Sequence, residues 1–262
     1  MLKFSACVEM MYRDLPLLER FEPAARTGVS ACEIWRFAQH DLNDIKTAIE
    51  KSGIPLSSMC IGTKDEALAE EYAQKALLSA DSGDALYKIC RESAEAAKFL
   101  GVSNLIITTG QERNDITRAE QHANIVLALR QAAPILEEYG VMAVLEPLNV
   151  IRNHKGYFLS SAYEAFAIIR EVGSPNVKLL YDIYHQQITD GNLIENITKN
   201  IDLIGHFHVA DVPGRHEPGT GEINYPAVFK AISDSGYDRF VGLEFAPTGD
   251  SGDALKQVLA MA

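Results

Sequence analysis

Short apolar runs rich in valine, isoleucine and leucine recur along the chain, and a longer stretch with helical spacing of its apolar residues follows most of them. Apolar runs of four to eight residues between turn residues are typical of buried β-strands. The pattern predicts eight strands, over residues 3–8, 31–35, 56–61, 104–109, 141–146, 177–182, 204–209 and 240–244.

The segments between these runs have apolar residues three and four positions apart, the spacing of amphipathic helices. They predict helices over residues 15–26, 42–51, 85–100, 117–139, 162–172, 225–235 and 253–259, among others. A glycine that follows a helical segment and precedes a strand is the usual left-handed end of a helix. Six glycines have this position, which supports the same alternation: Gly28, Gly53, Gly101, Gly140, Gly173 and Gly236.

Eight strand–helix units in a chain of 262 residues are the number and length of a TIM barrel, the (β/α)8 fold. A dinucleotide-binding doubly wound sheet would require a glycine-rich turn after the first strand. Residues 8–14 contain no glycine, so no nucleotide cofactor is expected. We therefore predict one α/β TIM-barrel domain over residues 1–262, with a polar insertion at residues 63–84.

The composition narrows the classes of function. Hydrophobic residues make up 47% of the chain and charged residues 23%, ordinary values for a globular protein with a sizeable core. The net charge of −12 disfavours binding to the phosphates of nucleic acids. No apolar run has the length of a membrane span, no signal peptide is recognisable, and the four cysteines contain no CxxC pair. A cytoplasmic protein without a membrane or nucleic-acid partner is expected.

Candidate chemistry lies at the ends of the last four predicted strands, because TIM barrels form their active sites at the C-terminal ends of the strands. Each of these strands brings one potential metal ligand there: Glu146, Asp182, His208 and Glu244. Side chains alternate along a strand, so each ligand should share the inward face with the residue two positions earlier. One such residue alone is commonly a helix cap or part of the core, but four on neighbouring strands favour a metal site.

Three carboxylates and one imidazole suit Mn²⁺ or Mg²⁺, with Co²⁺ tolerated. Without a cation, the crowded carboxylates would repel one another and their pKa values would rise. A metal held in this way can bind the carbonyl and adjacent hydroxyl of an α-hydroxycarbonyl compound and stabilise the enediolate formed when a proton leaves. The proton needs a base on one face and an acid on the other, and Glu146 and Glu244 are the catalytic candidates.

Further polar residues near the strand ends are candidates for binding the substrate. His185, which we place at the start of a loop, has a side chain suited to hydrogen-bonding a substrate oxygen. Arg215, in the glycine-rich loop 211–222, can grip a carboxylate or hydroxyl group. Trp35 either stacks on the substrate or belongs to the core. Glu33 precedes it by two residues on the same face, and we assign it no role beyond a buried hydrogen-bond partner.

Four segments carry a family resemblance: Phe4-Ser5-Ala6, residues 145–149 (LEPLN), residues 181–185 (YDIYH) and, above all, residues 210–225 (ADVPGRHEPGTGEINY). With these motifs the chain resembles the hydroxypyruvate isomerase family, which belongs to the xylose-isomerase-like TIM barrels together with sugar isomerases and ketose 3-epimerases. The match covers most of the chain and is strongest from residue 140 onward. The resemblance implies that Glu146 and Glu244 donate and accept the proton and that the fifth to eighth strands hold a divalent metal.

Two places depart from the family's pattern. His208 stands where hydroxypyruvate isomerases usually have glutamine, whereas ketose 3-epimerases have a histidine there, in an HxH pattern like that of residues 206–208. An imidazole is the stronger ligand, so firmer metal binding is expected. After the third strand, the family's asparagine and glycine- and tryptophan-containing stretch is replaced by residues 60–65 (CIGTKD). We therefore expect this side of the substrate pocket to differ from that of the family.

The leading hypothesis is a metal-dependent isomerase like hydroxypyruvate isomerase, which interconverts hydroxypyruvate and tartronate semialdehyde or a related ketose and aldose. The alternative is a ketose 3-epimerase. A lyase of the same superfamily is a weaker candidate. A non-catalytic binding barrel is also weaker, because such a barrel should lack at least one of the four candidate ligands, and this sequence has all four. A carboxylate substrate would need a cation, which Arg36, Lys64, Arg113 or Arg215 offers. Homo-oligomer formation is compatible with such a barrel.

Overall fold

A computed structural model describes residues 2–262, and in this part of the chain eight parallel strands close into a barrel in which each strand pairs with the next and the eighth pairs with the first. The strands are β1 (Lys3–Cys7), β2 (Ala31–Glu33), β3 (Leu56–Cys60), β4 (Asn104–Ile107), β5 (Met142–Leu145), β6 (Val177–Asp182), β7 (Ile204–Val209) and β8 (Phe240–Leu243). The predicted TIM barrel is confirmed, and each predicted strand is present.

Helices surround the barrel. In residues 2–262 these are α1 (Phe21–Ala25), α2 (Leu42–Ser52), α3 (Glu66–Lys75), α4 (Ser82–Leu100), α5 (Arg118–Tyr139), α6 (Ala162–Val172), α7 (Ile183–Thr189), α8 (Leu193–Lys199), α9 (Tyr225–Asp234) and α10 (Ser251–Leu259). Short 3₁₀ helices span Leu17–Arg20, Phe37–Gln39 and Ile201–Leu203. No helix of this set is long and apolar enough to cross a bilayer.

Four of the six predicted glycine C-caps are confirmed, whereas Gly28 and Gly236 have positive φ but lie beyond the C-caps Arg26 and Ser235 of α1 and α9. Gly53, Gly101, Gly140 and Gly173 are left-handed C-caps of α2, α4, α5 and α6. Thr117 begins α5 with a reciprocal capping box, in which its hydroxyl accepts from the Glu120 N–H and the Glu120 carboxylate accepts from the Thr117 N–H.

Three expectations need correction. The segment 63–84 is not merely a polar insertion, because it forms α3 and begins α4. The predicted helix over residues 15–26 is a 3₁₀ turn followed by the short α1, since Pro16 and Pro23 each remove a backbone donor. His185 does not begin a loop but lies in α7, which the Asp182 carboxylate caps by accepting the His185 N–H at 2.9 Å.

The apolar core has two parts. A large cluster fills the space between the strands and the helices, and a small one inside the barrel contains Ile106, Val144 and Leu180. Val144 and Leu180 are the inward-facing residues predicted from the alternation along β5 and β6. Above this inner cluster the barrel interior becomes polar, and this is where the candidate ligands begin.

Close packing between β5 and β7, on either side of β6, yields a test of the fold. A Cβ atom on Gly205 would lie 2.5 Å from Met142 Sδ and 2.8 Å from Val144 Cγ1, whereas one on Gly249 would meet nothing within 4 Å. Gly205→Ala should therefore lower the free energy of unfolding by about 1–3 kcal/mol. The control Gly249→Ala should change it by less than about 0.5 kcal/mol. Urea denaturation of both variants measures this, and equal stabilities would contradict the packing described.

Candidate active site

The four predicted ligands meet at the C-terminal rim of the barrel. Glu146 follows β5 directly, Asp182 ends β6, His208 lies near the end of β7 and Glu244 follows β8. All four are at most 7% exposed. One ligand atom from each lies within 4.8 Å of those of the other three. The structure thus brings together the residues that the sequence places on four separate strands.

His208 lies between the two glutamates. Its Nδ1 atom is 3.3 Å from Glu244 Oε2 and 3.7 Å from Glu146 Oε1. This nitrogen is buried and has no hydrogen-bond partner among residues 2–262. A buried nitrogen without a partner, surrounded by carboxylate oxygens, is what a divalent cation would satisfy. The donor set of Glu146, Asp182, His208 and Glu244 therefore fits a metal such as Mn²⁺ or Mg²⁺.

Repulsion between the carboxylates was expected to raise their pKa values, and this holds for Asp182 but not for Glu244. Burial raises the pKa of Asp182, and although Arg215 lowers it, the net shift is upward, as expected. Burial also raises the pKa of Glu244, but Arg215 and His208 lower it more, so that it lies well below its usual range. For Glu244 the expectation of a raised pKa was wrong, because the positive charges of Arg215 and His208 outweigh burial and the repulsion between the carboxylates.

Glu33 lies below the cluster, in the barrel interior, and bridges two imidazoles. Its Oε1 is 3.0 Å from His206 Nε2 and its Oε2 is 3.0 Å from His208 Nε2. The hydroxyls of Ser5 and Ser57 also donate to Oε1. Because a carboxylate only accepts, both Nε2 atoms carry the hydrogen and His208 presents Nδ1 to the glutamates. These three residues satisfy one another by hydrogen bonds, so they do not need a second metal.

Gly242 makes the position of Glu33 possible. A Cβ atom on Gly242 would lie 2.6 Å from Glu33 Oε1 and 2.6 Å from His208 Cδ2. The absence of a side chain at this position of β8 lets a carboxylate from β2 reach across the barrel to β7. The prediction that Glu33 is a buried hydrogen-bond partner is confirmed, but its partners could not be predicted, because only closure of the barrel brings it to His206 and His208.

His185 projects from α7 towards the same cluster. Its Nδ1 accepts hydrogen bonds from the backbone N–H of Asn149 at 3.2 Å and from the Asn149 side-chain amide at 2.7 Å. The hydrogen of the neutral ring is therefore on Nε2, which is buried, lacks a hydrogen-bond partner in the described chain and lies 3.7 Å from Asp182 Oδ2. Burial lowers the pKa of His185 to about 3, so that the ring is neutral at ordinary pH.

Trp35 and Arg215 contact Glu244 from two sides. The indole N–H of Trp35 donates to Glu244 Oε1 at 3.1 Å, and the Arg215 guanidinium donates to Glu244 Oε2. Arg215 also lies 5.5 Å from the centre of the Tyr184 ring and 3.9 Å from Asp182 Oδ2. Both predicted substrate-binding residues thus lie at the cluster, and Trp35 belongs to the wall of the adjoining cavity.

Asp211 organises the loop that carries Arg215. Its Oδ1 accepts the N–H groups of Val212 and Ile223 at 2.9 and 3.1 Å. Its Oδ2 accepts those of Gly219 and Gly221 at 2.8 and 2.9 Å. Arg215 itself has a φ of 60°, a left-handed backbone that costs a non-glycine residue free energy and needs a surrounding structure to hold it. The hydrogen bonds to Asp211 therefore hold the loop in the conformation that places Arg215 at the cluster.

A cavity of about 540 Å³ opens next to the cluster. Glu146, His185, Arg215 and Glu244 line one end of it. His154 also lines it, half-buried, with its ring centre 5.3 Å from that of His185. We did not predict His154, and its only signal in the sequence is a histidine five residues after the motif 145–149. Of the cations considered for a carboxylate substrate, Arg36 and Arg215 line the cavity, whereas Arg113 pairs with Asp115.

Comparisons with known proteins support a common origin. The profile of xylose isomerase-like TIM barrels matches residues 21–261. The chain is similar to a protein of Escherichia coli named hydroxypyruvate isomerase, with 32% identity over 94% of each chain. It is also similar to a 2-oxo-tetronate isomerase of Cupriavidus necator, with 32% identity over 97% of this chain and 96% of the relative. A crystal structure from Brucella melitensis described as an AP endonuclease of family 2 matches with a TM-score of 0.90 and 29% identity over 99% of each chain.

The support that Asp211 gives to the loop can be tested directly. Asp211→Ala leaves up to four backbone N–H groups without their acceptor, and each such buried group costs about 1–3 kcal/mol. We expect hydrogen exchange of residues 212–223 to accelerate by at least about tenfold. The control Glu222→Ala alters an exposed carboxylate at the end of the same loop, whose oxygen accepts from Gln187. If both variants exchange like the parent protein, Asp211 does not hold the loop.

Proposed function

The chain belongs to the xylose isomerase-like TIM barrel family, and on that premise we propose that it is a metal-dependent isomerase of a small α-hydroxycarbonyl compound. The relatives named hydroxypyruvate isomerase and 2-oxo-tetronate isomerase support an enzyme of the isomerase class, and the resemblance predicted from the motifs is confirmed. The observation that carries the proposal is the buried convergence of three carboxylates and one imidazole at the end of a cavity.

We propose that Glu146, Asp182, His208 through Nδ1, and Glu244 hold one divalent ion, Mn²⁺ or Mg²⁺ with Co²⁺ as a substitute. Three hard oxygen donors and one nitrogen favour these ions over a soft metal. When bound, the ion would supply a Lewis acid that polarises the substrate carbonyl and offsets the charge of an enediolate. The absence of any cysteine thiol from the cluster is consistent with this choice.

Glu146 and Glu244 are the proposed proton-transfer groups. They approach His208 Nδ1 from two strands and line the cavity. In an isomerisation, one carboxylate removes the proton from the hydroxyl-bearing carbon and a proton returns to the former carbonyl carbon. Glu244 is held by Trp35 and Arg215, whereas no hydrogen bond to the Glu146 carboxylate is present in residues 2–262. Glu146 is therefore the freer of the two to move a proton.

His185 and Arg215 are proposed to bind the substrate oxygens. The neutral His185 ring offers a single donor, the Nε2–H, whose position Asn149 fixes from the other side of the ring. A neutral imidazole can give a proton to one oxygen and take one from its neighbour, as an aldose–ketose conversion requires. The Arg215 guanidinium carries a fixed positive charge next to Glu244 and suits a carboxylate or an enediolate oxygen.

A ketose 3-epimerase is the second candidate, favoured by the histidine at position 208 in place of glutamine. An epimerase moves a proton at one carbon, and the same pair of glutamates would serve it. A nuclease is disfavoured despite the description of the Brucella structure. The net charge of −12 would repel a phosphate backbone over most of the surface.

Deuterium exchange tests the proposal. We would incubate Mn²⁺-loaded protein in D₂O with hydroxypyruvate, with 2-oxo-tetronate and with a ketohexose, and follow the carbon-bound hydrogens by NMR. An isomerase incorporates deuterium at two neighbouring carbons of the acid, and a 3-epimerase at carbon 3 of the ketose. Glu146→Gln and Glu244→Gln should each slow exchange by about 10²- to 10⁴-fold, since each removes one proton-transfer group.

The matched control is Glu138→Gln, which makes the same change on the exposed surface of α5. It should exchange at the parent rate. Full exchange by Glu244→Gln would remove that residue from the mechanism. No exchange by the parent protein with any of the compounds would overturn the proposed function.

Metal binding can be tested separately through Glu33. A glutamine there offers one acceptor and one donor to two imidazoles that both donate, so one Nε2–H loses its acceptor and His208 is no longer fixed. We expect Glu33→Gln to weaken Mn²⁺ binding by about 10- to 100-fold, measured by titration of free Mn²⁺ with electron paramagnetic resonance. The control Ser57→Ala removes one hydrogen bond, of 3.3 Å, to the same carboxylate without changing its charge.

Thermal denaturation of the metal-free proteins shows whether each variant is folded. Mn²⁺ added at 100 times its dissociation constant should stabilise the parent protein by about 2.7 kcal/mol, and chelation should reverse this. Equal Mn²⁺ affinity of folded Glu33→Gln and the parent protein would show that Glu33 does not position His208.

A further inference from the structure

The cavity is larger than the acids named for the relatives require. It measures about 540 Å³, which is within the range of sites that hold drug-sized ligands. A three-carbon acid has roughly the volume of four water molecules. At about 30 Å³ for each water, this is about 120 Å³. Most of the cavity would therefore remain outside a substrate of that size.

One part of the cavity wall is mainly apolar. It is formed by the 3₁₀ helix after β2, the residue after β3 and parts of α3 and α4. We call this wall the apolar subsite; its residues are Phe37, Ala38, Ile61, Ala69 and Ile89. It contains Ile61 of the segment 60–65 that departs from the family's pattern, and α3 belongs to the insertion 63–84.

The exposed side chains of Arg36 and Gln39 also line the cavity, but other polar groups beside the apolar subsite are paired within the protein. The Tyr72 hydroxyl donates to the carbonyl of Thr108 at 3.5 Å, so its hydrogen is not free for a ligand. The Thr63 hydroxyl donates to Glu92 at 2.5 Å.

The backbone of Gly62 is also paired, since its N–H donates to the Ser93 hydroxyl at 3.0 Å and its carbonyl accepts from the same hydroxyl at 3.0 Å. A polyhydroxylated chain would lose hydrogen bonds to water here and find few replacements, whereas an apolar group would gain from burial.

We propose that the apolar subsite binds an apolar substituent attached to the α-hydroxycarbonyl group of the substrate. The substrate class is then a hydroxyketone or hydroxyaldehyde that carries several carbon atoms without hydroxyl groups beyond the reacting carbons. This inference rests on the proposed function, because the reacting end is placed at Glu146 and Glu244. It also gives α3 a role as the outer wall of the substrate site.

The test compares two ketones with the same reacting group, hydroxyacetone and 1-hydroxy-2-hexanone, which differ by three methylenes. Burial of one methylene is worth roughly a fourfold gain, so we expect kcat/KM for deuterium exchange to be at least about tenfold higher for the hexanone. D-xylulose, a polyhydroxylated chain with the same reacting group, should show no such gain. Binding is measured independently of turnover from the fluorescence of Trp35, the single tryptophan of the chain and part of the cavity wall.

Two tryptophan substitutions on α3 form a matched pair. Ala69 and Ala67 are both exposed, but only Ala69 lines the cavity. Ala69→Trp should fill part of the apolar subsite and lower the ratio of hexanone to hydroxyacetone affinity by about tenfold. Ala67→Trp should leave the ratio unchanged. Each added tryptophan also fluoresces, so for these variants the affinities are measured by calorimetry.

The outcomes separate this inference from the proposed function. Equal affinity for the two ketones, or a ratio unaffected by Ala69→Trp, overturns the apolar subsite even if the small acids exchange. If nothing exchanges but the hexanone still binds more tightly and Ala69→Trp abolishes the difference, the subsite stands and the proposed function falls.

Discussion

Three buried carboxylates share one rim of the barrel with a single imidazole, and the need to balance their charge governs the arrangement around them. A buried charge without a partner is costly in free energy, so each must face a positive group or a donor. His208 and Arg215 supply this within the protein, and both contact Glu244. The Glu33 carboxylate, below His208, holds the other nitrogen of the same ring. A ring held from below in this way has only Nδ1 left for the rim.

Hydrogen bonds from neighbouring residues fix the side chains of the site in position. His185 has a fixed tautomer because Asn149 donates twice to its Nδ1. Arg215 has a fixed place because Asp211 gathers four backbone N–H groups of its loop. Tyr157 joins the segment after β5 to the neighbouring strand end, since its hydroxyl donates to the Glu146 carbonyl at 3.0 Å and accepts from the Thr109 N–H at 2.7 Å. Fixed donors of this kind lower the reorganisation needed when charge develops.

The two ends of the cavity are built by different halves of the chain. The polar end takes Glu146, His154, His185, Arg215 and Glu244 from the second half, whereas the apolar subsite takes its residues from positions 37–89. In a TIM barrel the loops after the strands vary without disturbing the barrel, so the proposed reacting groups and the apolar subsite can differ independently of each other. This accounts for a chain whose second half matches a family motif while its third strand end departs from it.

The fold and the convergence of the four candidate ligands could be predicted from the sequence because both depend on local periodicity. Strand–helix alternation specifies the barrel, and the position of Glu146, Asp182, His208 and Glu244 at strand ends places them on one rim. Contacts between distant segments could not be predicted in this way. Glu33 reaches His208, 175 positions away in the chain, only because the barrel closes and Gly242 leaves space. The lowered pKa of Glu244 and the apolar wall that α3 completes likewise depend on packing between segments, which no local pattern encodes.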